Sequence, residues 1–218
     1  MSAAALFDVD GTLIDSNYHH TIAWSRAFRR FELTPSLWRI HRAIGMGGDH
    51  LVTEVAGQRA EDEHGDALRA AWGKEYEPLL GEVRPFRDAH ALLLEVKRRG
   101  WAVVLASSAP KDQLEHYIDL LDADGLADEV TSADDVQATK PAPDLVSVAV
   151  QKAGASRAVM VGDSTWDAIA AGKVGVDTIA VRTGGFSEQE LRSAGAIGVF
   201  SSLTDLLDHL DGTPLQSG

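Results

Sequence analysis

Ala3-Ala4-Ala5-Leu6-Phe7-Asp8-Val9-Asp10-Gly11-Thr12-Leu13 is the stretch on which the reading of this chain turns. The apolar run Ala3 to Phe7 has the length of one strand buried on both faces, and two carboxylates follow at its carboxyl edge. Open α/β sheets bind their ligands outside the carboxyl ends of their strands. Two acids so close together repel unless a cation or a shared proton compensates. The pair therefore predicts a divalent-metal site with one carboxylate free to attack or to carry a proton.

Further along, Trp101 to Ala106 is a continuous apolar strand, and Glu129 to Thr131, Ala158 to Val161, Val176 to Val181 and Ala196 to Phe200 read as further strands. Helical patterns at Arg87 to Arg99, Lys111 to Leu121, Pro143 to Lys152, Asp167 to Ala171 and Leu203 to Leu210 fall between and after them. Buried strands alternating with helices predict an α/β fold with a doubly wound, mainly parallel, Rossmann-like sheet. The first strand is expected at its centre, because the densest acid cluster marks the switch point.

The segment after that strand differs in kind. Tyr18 to Phe31, Ser36 to Ile44, Asp49 to Ala60 and Glu61 to Leu80 read as four consecutive helices, the first capped by Asp15 or Ser16. This predicts an inserted α-helical cap domain over residues 16–84, placed to cover the acids like a lid, and a discontinuous core of 1–15 and 85–218. The Gly-, Pro- and Ser-rich tail Gly212 to Gly218 is expected to be frayed.

Composition narrows the classes of function. Of 218 residues 44% are apolar and 24% charged, as in a soluble globular protein. A formal net charge of -13 disfavours nucleic-acid and anionic-membrane partners, which select for lysine and arginine excess. With no cysteine, disulfides, thiol catalysis and thiolate metal sites are excluded, so any metal is held by oxygen. No apolar stretch approaches a bilayer span and no leader pattern opens the chain, which makes the cytoplasm the expected location. No heptad run marks an interface, and both monomer and homodimer stay open.

Four predicted strand ends converge on the chemistry: Asp8 with Asp10, Ser107 with Ser108, Lys140 before Pro141, and Asp163 with Asp167. Asp163 and Asp167 lie near one face if Ser164 starts a helix. Carboxylates with a backbone carbonyl and waters make the all-oxygen shell that Mg²⁺ prefers. Charged Lys140 is no metal ligand and suits a phosphoryl oxygen, to which Ser107 donates its hydroxyl hydrogen; backbone N–H groups after Asp8 and at Ser108 complete an anion nest. Such a set suits transfer of a phosphoryl group. Taken singly, Asp163 reads as a helix cap, Lys140 as a surface lysine, and Ser107 and Ser108 as loop residues. The eight histidines lack metal or triad spacing and read mostly as solvated helix residues, and Gly184-Gly185 opens no dinucleotide fingerprint.

Asp8-Val9-Asp10-Gly11-Thr12-Leu13, Ser107 after its strand, Lys140-Pro141, and Gly162-Asp163-Ser164 with Asp167 resemble the four motifs of the haloacid dehalogenase-like hydrolase superfamily, in order and spacing. The helical insert resembles the small cap of the subgroup containing phosphoglycolate phosphatases and β-phosphoglucomutases. The resemblance implies Asp8 as the nucleophile that forms an aspartyl-phosphate and touches Mg²⁺, and Asp10 as the acid/base whose backbone carbonyl ligates the metal. It implies Ser107, Ser108, Gly11 and Lys140 around the phosphoryl group, with Asp163 and Asp167 as further metal-site acids. Asp10 argues against true dehalogenases, which have no leaving alkoxide to protonate.

His20 and Trp24 stand where β-phosphoglucomutase has hinge and substrate residues, yet Gly162 replaces the glutamate common in that mutase. The stretch Arg42 to Asp49 also lacks its lysine and arginine pair. The expectation is a Mg²⁺-dependent phosphatase acting on a small phosphorylated metabolite, a sugar phosphate or a phosphoglycolate-like ester. A phosphomutase is the alternative, with a non-catalytic phospho-ligand module behind it. His20, Arg42, His50 and Lys74 are the cap-side candidates for substrate contact.

Overall fold

A computed structural model describes residues 2–216. In chain order the elements are β1 (Ala3–Phe7), β2 (Ile14–Asp15), α1 (Asn17–Arg29), α2 (Leu37–Ala43), α3 (Gly48–Ala56), α4 (Gln58–Tyr76), β3 (Arg84–Pro85), α5 (Ala89–Arg98) and β4 (Ala102–Ala106). There follow α6 (Lys111–Leu120), β5 (Glu129–Thr131), α7 (Asp144–Lys152), β6 (Arg157–Gly162), α8 (Thr165–Gly172), β7 (Asp177–Val181), α9 (Glu188–Ser193), β8 (Ala196–Phe200) and α10 (Leu203–Asp208).

Six strands form one sheet in the order β5-β4-β1-β6-β7-β8, every neighbouring pair parallel. β1 sits between β4 and β6, where the chain order reverses, so its carboxyl end opens onto the switch point. Alternation along β1 serves two layers. Ala5 and Phe7 pack with Leu92 and Leu93 of α5 and Leu114 of α6, whereas Ala4 and Leu6 pack with Leu145 and Val146 of α7 and Ala170 of α8. Each Leu or Phe buried in these layers contributes about 1.5–3 kcal/mol.

Helices α1 to α4 form the cap around an apolar cluster of their own, including Trp24, Phe28, Ile40, Leu51, Val52 and Leu68. The chain leaves and re-enters the core through the antiparallel ribbon of β2 and β3, where Ile14 faces Pro85 and Asp15 faces Arg84. Two residues per strand carry no periodicity, and the sequence pattern showed no sign of this ribbon.

Several expectations are corrected. The third and fourth cap helices part at Gly57, whose φ of +89° ends α3, rather than at Glu61. The last cap helix stops at Tyr76 and continues as a 3₁₀ turn over Glu77–Glu82, since Pro78 has no N–H for an α-helical bond. Helix α9 is an addition, held by a capping box between Ser187 and Glu190. The tail is packed as far as Gln216: Leu215 is fully buried, and Trp101 Nε1 donates to the Gln216 carbonyl at 3.3 Å. Ser217 and Gly218 lie outside the described residues.

Candidate active site

Parallel strands place the ends of β1, β4 and β6 on one edge, and their polar residues meet there. The Asp8 backbone N–H donates to the Val161 carbonyl of β6 at 2.9 Å, so the ladder still holds the chain at the point where the first acid projects. Lys140 arrives from the loop after β5, fully buried, and its Nζ donates to Asp8 Oδ1 and lies 2.8 Å from Asp167 Oδ1. The Thr12 hydroxyl stands 3.1 Å from both Asp8 Oδ2 and Asp163 Oδ1, and Asn17 Nδ2 donates to Asp163 Oδ2 at 2.9 Å.

Charge is stored at high cost in this cluster. Burial pushes the Asp8 carboxyl well above its usual range; Lys140 opposes that shift, while Asp167 and Asp163 add to it. Burial and the nearby Asp167 raise Asp163 to about 7. Lys140 is disfavoured by burial too, but Asp167 and Asp8 outweigh this and drive its value up, keeping it charged.

These residues fit a divalent cation. Asp8, Asp163 and Asp167 each bring an oxygen to within 4.8 Å of the others, all three side chains buried. Two glycines keep space around Asp163: a Cβ on Gly11, at φ +79°, or on Gly184 would collide with Asp163 Oδ2. The two carboxyls with raised proton affinity are the ones a cation would relieve. Asp167 also closes a capping box at the start of α8, where its Oδ2 accepts from the backbone and hydroxyl of Ser164.

Asp10 points elsewhere. Its Oδ1 accepts from the Ser16 hydroxyl at 2.7 Å and meets His20 Nε2 at 2.7 Å, while the Ser107 hydroxyl is 3.4 Å from Oδ2. Ser16 therefore spends its hydroxyl on Asp10 instead of capping α1. Burial would raise the Asp10 carboxyl, yet His20, Ser16 and Tyr117 outweigh it and hold it below the usual range. His20 is buried and stacks on Tyr76 with ring centroids 4.0 Å apart, so it is no solvated helix residue. The Tyr76 and Tyr117 hydroxyls lie 2.5 Å apart, tying the end of α4 to α6.

The carboxyl edge and the cap enclose a cavity of about 400 Å³. Asp8, Asp10, His20 and Ser108 line it, and the buried Ser108 hydroxyl has no protein partner. Arg42, His50 and Lys74 do not line it. The Arg42 guanidinium lies 3.8 Å over the Phe186 ring and bonds Glu190 at 2.5 Å, bridging cap and core outside the cleft. His50 turns toward the neighbouring Asp49, at 3.5 Å. Lys74 is exposed, two residues past Trp72 and so on the opposite side of α4.

Four residues that the sequence left unassigned take part. Thr12 and Asn17 hold the acids, and Arg69 and Trp72 face the cavity from the cap. Thr12 stood inside the opening motif; Arg69 and Trp72 are three apart, and that spacing on one helix face was their only signal.

Residues 5–181 match the family described as haloacid dehalogenase-like hydrolase. The chain belongs to this family. It is 30% identical to phosphoglycolate phosphatase of Rhodospirillum rubrum over 100% of this chain and 94% of that one. It is 28% identical to pyrophosphatase PpaX of Bacillus velezensis over 96% of both. A hydrolase from Pseudomonas syringae superposes with a TM-score of 0.91 at 31% identity, covering 97% of this chain and 99% of the other. Within the haloacid dehalogenase-like hydrolases this fold and acid cluster are those of a metal-dependent phosphomonoesterase that passes through an aspartyl-phosphate.

Proposed function

We propose that the chain hydrolyses a small organic phosphomonoester and that Mg²⁺ is its metal. The single observation that carries this reading is buried Lys140 between Asp8 and Asp167, directly behind the Asp8 carboxylate that lines the cavity, with Asp163 close by. Held by Asp8, Asp163 and Asp167, Mg²⁺ would neutralise phosphoryl charge that three acids alone would repel.

In the first step an Asp8 oxygen attacks phosphorus, the ester P–O bond breaks, and the departing alkoxide takes a proton from Asp10. Asp10 starts ionised; an arriving dianionic phosphoryl group raises its proton affinity and lets it take a proton from solvent as substrate binds. In the second step water attacks phosphorus and passes its proton to Asp10. The P–O bond to Asp8 then breaks, freeing inorganic phosphate. Lys140 and the Ser107 and Ser108 hydroxyls hold the phosphoryl oxygens, and the cap of residues 16–84 excludes bulk water.

Gly162 weighs against a phosphomutase. A Cβ there would stand 2.5 Å from Asp167 Cγ, so this site leaves no room for the glutamate of the mutase pattern.

The test is inorganic phosphate release from p-nitrophenyl phosphate and a panel of phosphorylated metabolites. Activity is expected to need Mg²⁺ and to vanish in Asp8→Asn. Turnover retained in that variant would remove the nucleophile, and interconversion of hexose phosphates without net release would favour the mutase.

A further inference from the structure

The cap side of the cavity offers no free positive charge. Among the described residues that line the cavity, Arg69 is the one arginine or lysine. Its guanidinium is already engaged. Nη1 and Nη2 donate to the two oxygens of Glu61 at 3.0 and 2.9 Å, Nη2 also to Asp66 at 2.8 Å, and Nη1 to the Gly48 carbonyl at 3.1 Å. Glu61 and Asp66 lie behind the wall, Asp66 in solvent, so Arg69 meets the cavity with its charge balanced from outside, and Asp49 is the acid on this part of the wall itself.

The pairing is built into the helix. Glu61, Gly65 and Arg69 succeed one another at intervals of four on α4, and a Cβ on Gly65 would collide with the Glu61 carboxylate. A mid-helix glycine costs about 1 kcal/mol relative to alanine. Here its bare surface lets the Glu61 carboxylate lie back along the helix and reach Arg69.

The remaining cap wall is apolar. Trp24 and Trp72 stack with centroids 5.5 Å apart and planes 16° apart, Met46 and Leu51 extend the surface, and Val136 continues it from the core side. A carboxylate or second phosphate brought here would be desolvated beside Asp49, and Arg69 could meet it only by giving up its bonds to Glu61 and Asp66. An uncharged group with a flat apolar face would bury its surface on the indoles.

Resting on the phosphomonoesterase reading of this same site, we infer that the leaving alcohol is uncharged and apolar-faced, and that the Glu61–Arg69 pair rejects esters carrying a second anionic group. Saturating the one available cation in this way gives specificity through an unfavourable alternative rather than through an added contact.

The experiment compares kcat/KM for phenyl phosphate and 4-carboxyphenyl phosphate with Mg²⁺ present. Wild type is expected to favour the plain ester by about tenfold or more. The electron-withdrawing carboxylate makes the better leaving group, so leaving-group chemistry alone predicts the reverse. The double variant Glu61→Gln, Asp66→Asn releases Arg69 and should narrow that ratio by about tenfold, through a gain on the carboxylated ester. Gly65→Ala raises helix propensity while displacing Glu61, and should move the ratio in the same direction. Equal use of both esters by wild type, or a ratio unmoved in both variants, overturns the inference. Failure of wild type on both esters while it hydrolyses members of the metabolite panel also overturns the inference, whereas failure on the panel as well would instead remove the phosphomonoesterase reading on which it rests.

Discussion

Thr139 donates two hydrogen bonds to Asp49, from its backbone N–H to Oδ2 at 3.1 Å and from its hydroxyl to Oδ1. Asp49 stands in the first turn of α3 in the cap, and Thr139 immediately precedes Lys140 in the core. The Gly47 N–H adds a contact to the Lys140 carbonyl at 3.4 Å. One turn of the cap thus grips the backbone that delivers the buried lysine, tying the position of the cap to that of Lys140.

Asp49→Ala removes both bonds and leaves the apolar cap cluster untouched. Hydrogen bonds to a charged group are worth about 1.5–3 kcal/mol, so kcat/KM should fall by about tenfold or more. The melting temperature should fall as well, by roughly 5 °C or more, because both bonds are lost from the folded state. Steady-state kinetics beside a thermal melt checks this, and an unchanged kcat/KM would show that the clasp does no catalytic service.

Lys140→Met leaves Asp8 and Asp167 buried without their counter-charge. Breaking a buried pair from one side costs about 3–5 kcal/mol, so the variant should be markedly less stable to urea when no divalent ion is present. The double variant Asp8→Asn, Lys140→Met should recover part of that loss, because one stranded charge goes with its partner. Additive losses would mean that Lys140 does not balance Asp8.

Much of the core was legible because its signals are local. The run Ala3 to Phe7 reads as a strand by itself, and once the strands are parallel every carboxyl end must fall on one edge, which brings Asp8, Ser107, Lys140 and Asp163 together. The cap side was not legible in the same way. Whether Arg42, Arg69 or Lys74 faces the cavity depends on how each helix is rotated about the Trp24 and Leu68 cluster, and polar spacing does not report that rotation. Ser16 looked like a helix cap because serine before a helix usually is one; its hydroxyl goes to Asp10, which comes within reach only once the chain turns at Gly11.

Divalent-ion binding should stabilise the fold measurably. An ion held at 100 times its Kd adds about 2.7 kcal/mol, so Mg²⁺ against chelator should raise the melting temperature of wild type by several degrees, roughly. Asp163→Asn should abolish the shift. Gly184→Ala should weaken it without replacing a ligand, because the new Cβ occupies the space of Asp163 Oδ2. A full shift in Gly184→Ala would argue that Asp163 moves freely on binding.

His41 ties cap stability to pH. It stacks on Tyr18 with centroids 5.0 Å apart and packs so close to Gly185 of the core that a Cβ there would stand 2.8 Å from its Cε1. Burial, and then the like charge of Arg42, hold the His41 imidazole below its ordinary value, so the folded chain keeps it neutral. Below about pH 6.5 the unfolded chain takes up the proton first. The stability that His41 contributes is therefore complete above that pH and is lost as pH falls toward the folded value. Asp163 works in the opposite direction: its raised value means that the folded chain binds the proton more tightly as pH drops through about 7. The comparison must therefore be a difference. The stability of wild type relative to His41→Gln, measured by thermal melts, should shrink on going from about pH 7.5 to about pH 5.5. Parallel pH profiles for the two proteins would show that the junction at Gly185 tolerates a charged imidazole.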